Sequence, residues 1–421
     1  MKTFRPAITA CALTAILVSG GCSTPRSASR DHAYILYWPP TDSRRTRVAV
    51  KDLIDMKGVV TTAGSEFLAK TSPPAARDAA CLRLARNRNV QFVGKTNLSE
   101  LAVGVSGINA YFGTPKNPLS PKRKLIPGGS SSGSAVAVVN GTADIAIGTD
   151  TAGSIRVPAA CCGIVGLKTT FGLVPLGGVY PISPNHLDTV GPMAKDVAHT
   201  VQGMDLLQEG FASRYRRAVA AKPAARTIKV CRLYVSGTAA KVDRAVDAAL
   251  SRTGFQVVAL DKGFQEKWKQ AEQDAKTVAA ASAWLSDQKF KNEPGVTVRT
   301  KAVVALGELA YWTKYRAALQ RQAAWQATLR RVFAKVDFIA LPTLQSLTPT
   351  IPFFGGTPAF EALVLGEQNT AAVNFAGNPA LAVPIPVEDK IVTVTSLQLI
   401  GAPRSEAALL NAGRLVEAQR H

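Results

Sequence analysis

Residues 127–170 read PGGSSSGSAVAVVNGTADIAIGTDTAGSIRVPAACCGIVGLKTT. The stretch carries two turns dense in glycine and serine, GGSSSGS and TDTAGS. Between them, the small residues Ser134 to Asn140 predict a helix, and the apolar run Ala143 to Ile147 predicts a buried strand. Glycine lets a backbone turn sharply and lets other groups approach it closely. Two such turns, joined through one helix and one strand, can face each other at one end of a sheet. That is where α/β proteins usually place their chemistry. A serine in such a turn is either an ordinary loop hydroxyl or a nucleophile.

Strands and helices alternate outward from this centre. Upstream, Val48-Ala49-Val50 reads as a short buried strand with Lys51 at its end, and residues 61–65 (TTAGS) as a turn. Asp78 to Asn87 has helical spacing, and Val90 to Gly94 is strand-like. Downstream, 172–192 is a loop region rich in glycine and proline, Asp196 to Leu207 a helix, and 208–226 a basic, irregular surface excursion. Thr227 to Tyr234 predicts a strand. Val242, Ala245, Val246, Ala249 and Leu250 share one helical face that stops at Gly254. Phe255 to Leu260 predicts a strand, and Glu266 to Phe290 and Trp312 to Phe333 predict long helices. Val336 to Pro342 reads as a strand and 345–362 as a loop. A helix, turn and strand follow over 370–384, then a strand (Val392 to Ile400) and a helix (Glu406 to Ala418). No internal repeat is visible, and the alternation favours an α/β layered fold.

Hydrophobic residues make up 47% of the chain against 19% charged, which excludes global disorder and supplies a sizeable core. The formal charge is +21, mostly from scattered lysine and arginine, and favours an anionic lipid, polymer or substrate. No nucleic-acid motif accompanies it, so nucleic acid is not an expected partner. At the start, Lys2 and Arg5 precede the apolar run Ala7 to Val18 and the small residues Ser19-Gly20-Gly21 before Cys22. This resembles a bacterial lipoprotein signal occupying 1–21, with Cys22 lipidated and anchored to a membrane of the cell envelope. Ser19 stands where such signals prefer leucine. Plain secretion is the alternative. Residues 22–46 read as an extended tether, and no later stretch is apolar enough to span a bilayer. Cys81, Cys161, Cys162 and Cys231 have no metal-ligand spacing and are too few for a disulfide scaffold, and adjacent Cys161 and Cys162, in an apolar small-residue segment, read as buried thiols.

The histidines are His32, His186, His199 and His421, and only His186 lies in a loop able to reach a site. No GxSxG elbow exists, and GGSSSGS lacks the Gly-Lys-Ser/Thr ending of a nucleotide-binding loop. What remains is serine activated by lysine. A lysine ammonium takes no proton, but burial lowers its pKa so that the neutral amine serves as a base. A second serine can relay the proton, and the amides of a tight turn can hold an oxyanion. Lys51, the serines at 130–134 and Ser154 supply these parts. A lone lysine after a strand is ordinarily a surface lysine, so only a nearby serine site gives Lys51 this meaning.

The chain resembles the amidase signature family from Val50 to about Ala412. The motifs are VKD at 50–52, GKTN at 94–97, PGGSSSGSA at 127–135, GTDTAGSIRVPAA at 148–160 and GIVGLKTT at 163–170. LDTVGPMAKDV at 187–197, NFAGNPALAVP at 374–384 and LQLIG at 397–401 also match. The resemblance implies an α/β amidase signature fold over 47–421, with a central mixed β-sheet flanked by helices on both faces. It implies a Ser-cisSer-Lys triad: Ser154 as nucleophile, Ser130 as the bridging residue on a cis peptide, and Lys51 as base. It implies that the amides of Thr151, Ala152, Gly153 and Ser154 surround the oxyanion, and that Ser131 and Arg156 support the site. No metal or organic cofactor is implied. Ala152, Ser132 and Thr169 depart from the commoner glycine, glycine and proline, and none removes a reacting group. The segment before Lys51 is shorter than in many members, which leaves the oligomeric state open.

Three functions fit these residues: an exported amidase acting on a small amide, an inactive binding protein that kept the fold, or an amidotransferase-type subunit. Export argues against the third. The pocket is expected to be shaped by loops near 104–117, 172–190 and 344–366, so the amide itself is not legible.

Overall fold

A computed structural model describes residues 30–119, 124–261, 263–353 and 355–419. Among the described residues the frame is one eleven-stranded sheet. The strands are β1 (Tyr34–Tyr37), β2 (Thr46–Lys51), β3 (Val90–Thr96), β4 (Ile145–Asp150), β5 (Val165–Lys168) and β6 (Thr189–Ala194). They continue with β7 (Lys229–Arg232), β8 (Gln256–Val258), β9 (Phe338–Pro342), β10 (Ala380–Pro386) and β11 (Val394–Gly401). Their order across the sheet is β1-β3-β2-β4-β6-β5-β10-β11-β9-β7-β8. β3, β2 and β4 run parallel, as do β9, β7 and β8, while the middle of the sheet is antiparallel. The sheet is therefore mixed.

Side chains alternate across a strand with period two, and the core divides accordingly. Val48 and Val50 of β2, Ile145 and Ile147 of β4, and Leu397 and Leu399 of β11 enter one core. Helices Val197–Leu207, Ala240–Thr253 and Glu406–Glu417 pack there. Ala49, Ala146 and Ala382 point to the opposite face, against helix Ser132–Val139 and Ala159 and Cys162 of helix Arg156–Cys162. Farther along that face, Ile339, Leu341 and Ile400 meet helices Phe264–Asp287, Arg316–Phe333 and Ala371–Ala376. Large residues face one side of β2 and β4 and alanines the other, so the two central helices lie close to the strands.

Four expectations change. Tyr34–Tyr37, read as part of a tether, is an edge strand antiparallel to β3. Tyr34 is fully buried and its hydroxyl hydrogen-bonds Thr142 Oγ1 at 3.0 Å. Gly94 shows why β1 fits: a Cβ there would lie 2.2 Å from the Leu36 carbonyl oxygen. The supposed irregular excursion contains helix Phe211–Ala221, anchored by buried Phe211, with Tyr215 against the same core. Helix Val298–Ala310 runs through the five-residue π segment Tyr311–Tyr315 into Arg316–Phe333, so the helix predicted from Trp312 begins much earlier. Within the loop expected at 345–362, Thr357 caps helix Pro358–Gly366 by accepting from the Phe360 amide. The four cysteines at 81, 161, 162 and 231 are buried and free. Cys22 and the expected signal lie outside the described residues. Among the described residues, no helix is long and apolar enough to cross a membrane.

Candidate active site

Parallel β2, β3 and β4 end at the same edge of the sheet, and the site is built just beyond their carboxyl ends. Lys51 is the last residue of β2. Period-two alternation after Val48 and Val50 sends its side chain to the face that carries the serine turns. The GGSSSGS turn leads into helix Ser132–Val139, and the TDTAGS turn leaves β4 and enters helix Arg156–Cys162. The turns are stitched together by the Ser131 amide, which donates to the Ser154 carbonyl at 3.2 Å. The Ser131 hydroxyl donates to the Thr149 carbonyl at 3.3 Å.

Lys51 Nζ donates to Ser130 Oγ at 2.7 Å and to Thr149 Oγ1 at 2.8 Å. Lys51 and Ser130 are fully buried, and Ser154 retains 8% of its surface. The Gly129–Ser130 peptide is cis. Burial pulls the Lys51 ammonium down to about 7, against the opposing pull of Asp150 and Asp188. Burial thus moves Lys51 toward the free amine, which has a lone pair to accept a proton.

Beneath the TDTAGS turn lies a buried ion pair. Arg156 Nη2 and Asp150 Oδ1 are 2.9 Å apart, both residues fully enclosed. Burial alone would raise the Asp150 carboxyl, but Arg156 and its partners hold it at about 2. Asp150 also accepts from the amides of Gly153 at 2.8 Å and Ile155 at 3.1 Å, and from Asn374 Nδ2 at 2.9 Å. Arg156 Nη1 reaches the Thr370 carbonyl at 3.0 Å and Gln398 Oε1 at 2.6 Å. The segments NFAGNP and LQLIG are thereby tied to the turn.

Arg156, expected to support the site, braces the turn from beneath. One expectation for this turn needs correction. The Gly153 amide is occupied by Asp150, which leaves the amides of Thr151, Ala152 and Ser154 without an acceptor among the described residues. Gly153 has another task. Its φ is +136°, and a Cβ there would lie 2.3 Å from Thr370 Oγ1, whose hydroxyl donates to the Ala152 carbonyl at 2.5 Å.

Asp188 pins the loop over 182–188 to the turn. It accepts from the Thr151 hydroxyl at 2.7 Å and from the amides of Ile182 and Ser183, each at 2.9 Å. His186, in the same loop, sits edge-on to Tyr315 and lines a separate pocket with Ser183 and Ser282. That pocket includes none of Ser130, Ser154 and Lys51, and burial lowers the His186 pKa. Asp196 caps helix Val197–Leu207 by accepting from the His199 amide at 2.7 Å, and the His199 ring Nδ1 lies 2.7 Å from the same carboxylate oxygen. Among the described residues, no three His, Cys, Asp or Glu side chains gather as metal ligands. Sequence reasoning missed Thr149, Asp150, Asp188, Asn374 and Gln398. All five lie inside or beside the family-like segments, which was the available signal.

The fold and these segments place the chain in a family. A family model described as Amidase matches residues 47–410. The 2-amino-5-chloromuconic acid deaminase of Comamonas testosteroni is 34% identical over 394 residues, covering 88% of this chain and 80% of that protein. A glutamyl-tRNA(Gln) amidotransferase subunit of Halobacterium salinarum is 32% identical over 421 residues, covering 88% and 95%. Among solved structures, a chain of a vestigial protein complex bearing on the origins of an s-triazine catabolic enzyme superposes with a TM-score of 0.78. It is 26% identical, with 90% of this chain and 84% of that one covered. The chain belongs to the amidase signature family. Its relatives include amide hydrolases and amidotransferase subunits.

Proposed function

We propose that this protein hydrolyses a carbon–nitrogen amide bond through an acyl-enzyme on Ser154, with Ser130 as the bridge and Lys51 as the base. The observation that carries this reading is the 2.7 Å contact between a fully buried lysine and Ser130, beside the turn that holds Ser154. Ser154 Oγ attacks the amide carbon as its proton passes to Ser130 Oγ, and the Ser130 proton passes to the neutral Lys51 amine. The negative oxygen that forms is met by the unoccupied amides of Thr151, Ala152 and Ser154. Collapse breaks the C–N bond, and the Lys51 proton returns through Ser130 to the leaving nitrogen. Water then repeats the sequence on the ester and releases the acid.

A fluorophosphonate probe tests this on the purified chain without knowledge of the substrate. Covalent labelling at Ser154, lost in Ser154→Ala and slowed in Lys51→Ala and Ser130→Ala, is expected. A folded, unlabelled protein would favour the binding-protein reading. A second reading, an amidotransferase-type subunit, is supported by the match to the Halobacterium salinarum protein. Under it, the isolated chain releases no acid from a library of simple amides but does so when a partner is added.

The proposal extends to location. An apolar start ending at Cys22 fits export and a lipid anchor in the cell envelope. Mass spectrometry of the mature terminus tests it, and an unmodified Cys22 within a longer chain refutes it.

A further inference from the structure

Lys51 is fully enclosed, and among the described residues its Nζ meets two hydrogen-bonding atoms, Ser130 Oγ at 2.7 Å and Thr149 Oγ1 at 2.8 Å. The proposed relay uses the first contact and gives the second no task. Thr149 is itself buried and sits near the end of β4. Its backbone is held in register opposite Val190 of β6, and its carbonyl accepts from the Ser131 hydroxyl at 3.3 Å. Among the described residues its hydroxyl has no hydrogen-bond partner besides Lys51. The side chain is thus a single polar atom, on a backbone fixed from two sides, that touches only the amine.

The form of Lys51 that accepts a proton is the neutral amine, which has two N–H bonds and one lone pair in three staggered positions. Ser130 can give up its proton only if the lone pair occupies the position that faces it. A buried N–H without an acceptor is costly. An amine whose only acceptor were Ser130 would therefore turn an N–H toward that hydroxyl and its lone pair away. Thr149 Oγ1 offers the N–H another acceptor. The lone pair is then free to face Ser130, whose own oxygen stays open to the Ser154 proton. We propose that Thr149 is a positioning residue, which holds one Lys51 N–H and thereby aims the amine's lone pair at Ser130. This rests on Lys51 being the base of the proposed hydrolysis and names what orients that base.

The same contact bears on proton affinity. A hydroxyl oxygen accepts more strongly from an ammonium than from a neutral amine, so Thr149 favours the protonated form. The charges of Asp150 and Asp188 do likewise, against burial. The charged groups around Lys51 have partners of their own. Asp150 is paired with Arg156, Asp188 is held by the Thr151 hydroxyl and two amides, and Asp52 is paired with Lys95 at 2.8 Å. Among the described residues none of them hydrogen-bonds the Lys51 amine. Removing the Thr149 hydroxyl therefore changes one contact of the amine and takes no charge from its surroundings.

Thr149→Val keeps the shape of the side chain without its hydroxyl, and Thr149→Ser keeps the hydroxyl. Fluorophosphonate labelling of Ser154 in Thr149→Val should reach a plateau about tenfold lower, with its midpoint about one pH unit toward acid. Both should return in Thr149→Ser. In a Lys51→Ala background, Thr149→Val should have no further effect. A threonine that served packing alone would slow labelling equally in both backgrounds and leave the midpoint in place, which overturns the assignment. So does a plateau unchanged or raised in Thr149→Val, the result expected if the Thr149 hydroxyl donates to the lone pair and competes with Ser130. Should the valine variant not fold, Thr149→Ala enters the same comparison. NMR titration of the Lys51 side chain, assigned by the signal lost in Lys51→Ala, reads the contact without any chemistry at Ser154. A midpoint moved toward acid in Thr149→Val supports the contact even where Ser154 takes no label, and that missing label strikes the hydrolase reading alone. An unmoved titration beside normal labelling of the unmodified chain strikes the role of Thr149 alone.

Discussion

The reaction rate should titrate with Lys51. Among the described residues this lysine has two hydroxyl partners and no carboxylate in direct contact, and burial pulls its pKa to about 7. Only the neutral amine accepts a proton, so Ser154 labelling should rise with pH and level off above about pH 8, with a midpoint near 7. Each pH unit below the midpoint costs about 1.36 kcal/mol, so the rate at about pH 5 should be about a hundredfold below the plateau. The assay is the second-order rate of fluorophosphonate labelling across about pH 5 to 9, which needs no substrate identity. Asp188 draws the ammonium form up, so Asp188→Asn should move the midpoint toward acid. His186 has its own pKa lowered by burial and is the group most easily mistaken for Lys51. His186→Gln should therefore leave the midpoint where it was. Lys51→Ala should flatten the profile and cost about a hundredfold or more at the plateau, the usual range for losing a general base. A profile that is flat in the unmodified chain, or one whose midpoint moves with His186→Gln, refutes the assignment of Lys51.

Three further outcomes follow from the same geometry. Arg156→Met leaves Asp150 as a buried charge without its partner, so it should cost about 3–5 kcal/mol in urea unfolding and slow labelling as the turn loosens; an unchanged midpoint would show that the pair is not a brace. Gly153→Ala forces a side chain into a φ of +136° and against Thr370; it should lower stability by about 1–3 kcal/mol and labelling with it, whereas wild-type behaviour would mean that the turn is free to shift. Tyr34→Ala removes a fully buried ring from β1 and should cost about 3–5 kcal/mol, whereas a loss below about 1 kcal/mol would return Tyr34–Tyr37 to the status of a tether.

Much of the sheet was legible because its strands are short apolar runs bounded by glycine, proline or a charged residue, as in Val48 to Lys51 and Phe338 to Pro342. What failed was whatever depends on distant partners. Tyr34–Tyr37 carries two tyrosines ahead of Trp38-Pro39-Pro40 and looks extended from sequence, which is correct. That it is paired is decided by Gly94, far along the chain, where the missing side chain admits the Leu36 carbonyl. Phe211–Ala221 was obscured by its arginines, which lie on the solvent side while Phe211 and Tyr215 meet the core. At the site, the serines and Lys51 were readable from local motifs. Their supports were not: Asp150 spends the Gly153 amide only because Arg156, Asn374 and the strand carrying Gln398 fix it in place.

The position of Lys51 follows from the alternation of the strand that carries it. β2 must put Val48 and Val50 into one core and Ala49 toward the helices of the other face, and the next residue in that rhythm is Lys51. A one-residue slip of register would exchange the faces and send the lysine to the opposite side of the sheet. Holding the register costs little, because β3 and β4 flank β2 in parallel and Val48, Ala49 and Val50 oppose Ile145, Ala146 and Ile147 in matched pairs. The hydrophobic pattern that makes the sheet thus also fixes which hydroxyls the buried amine meets. Deep burial then becomes productive: the desolvation that would make an isolated lysine a liability lowers its pKa to where it can exchange protons with Ser130 near neutral pH.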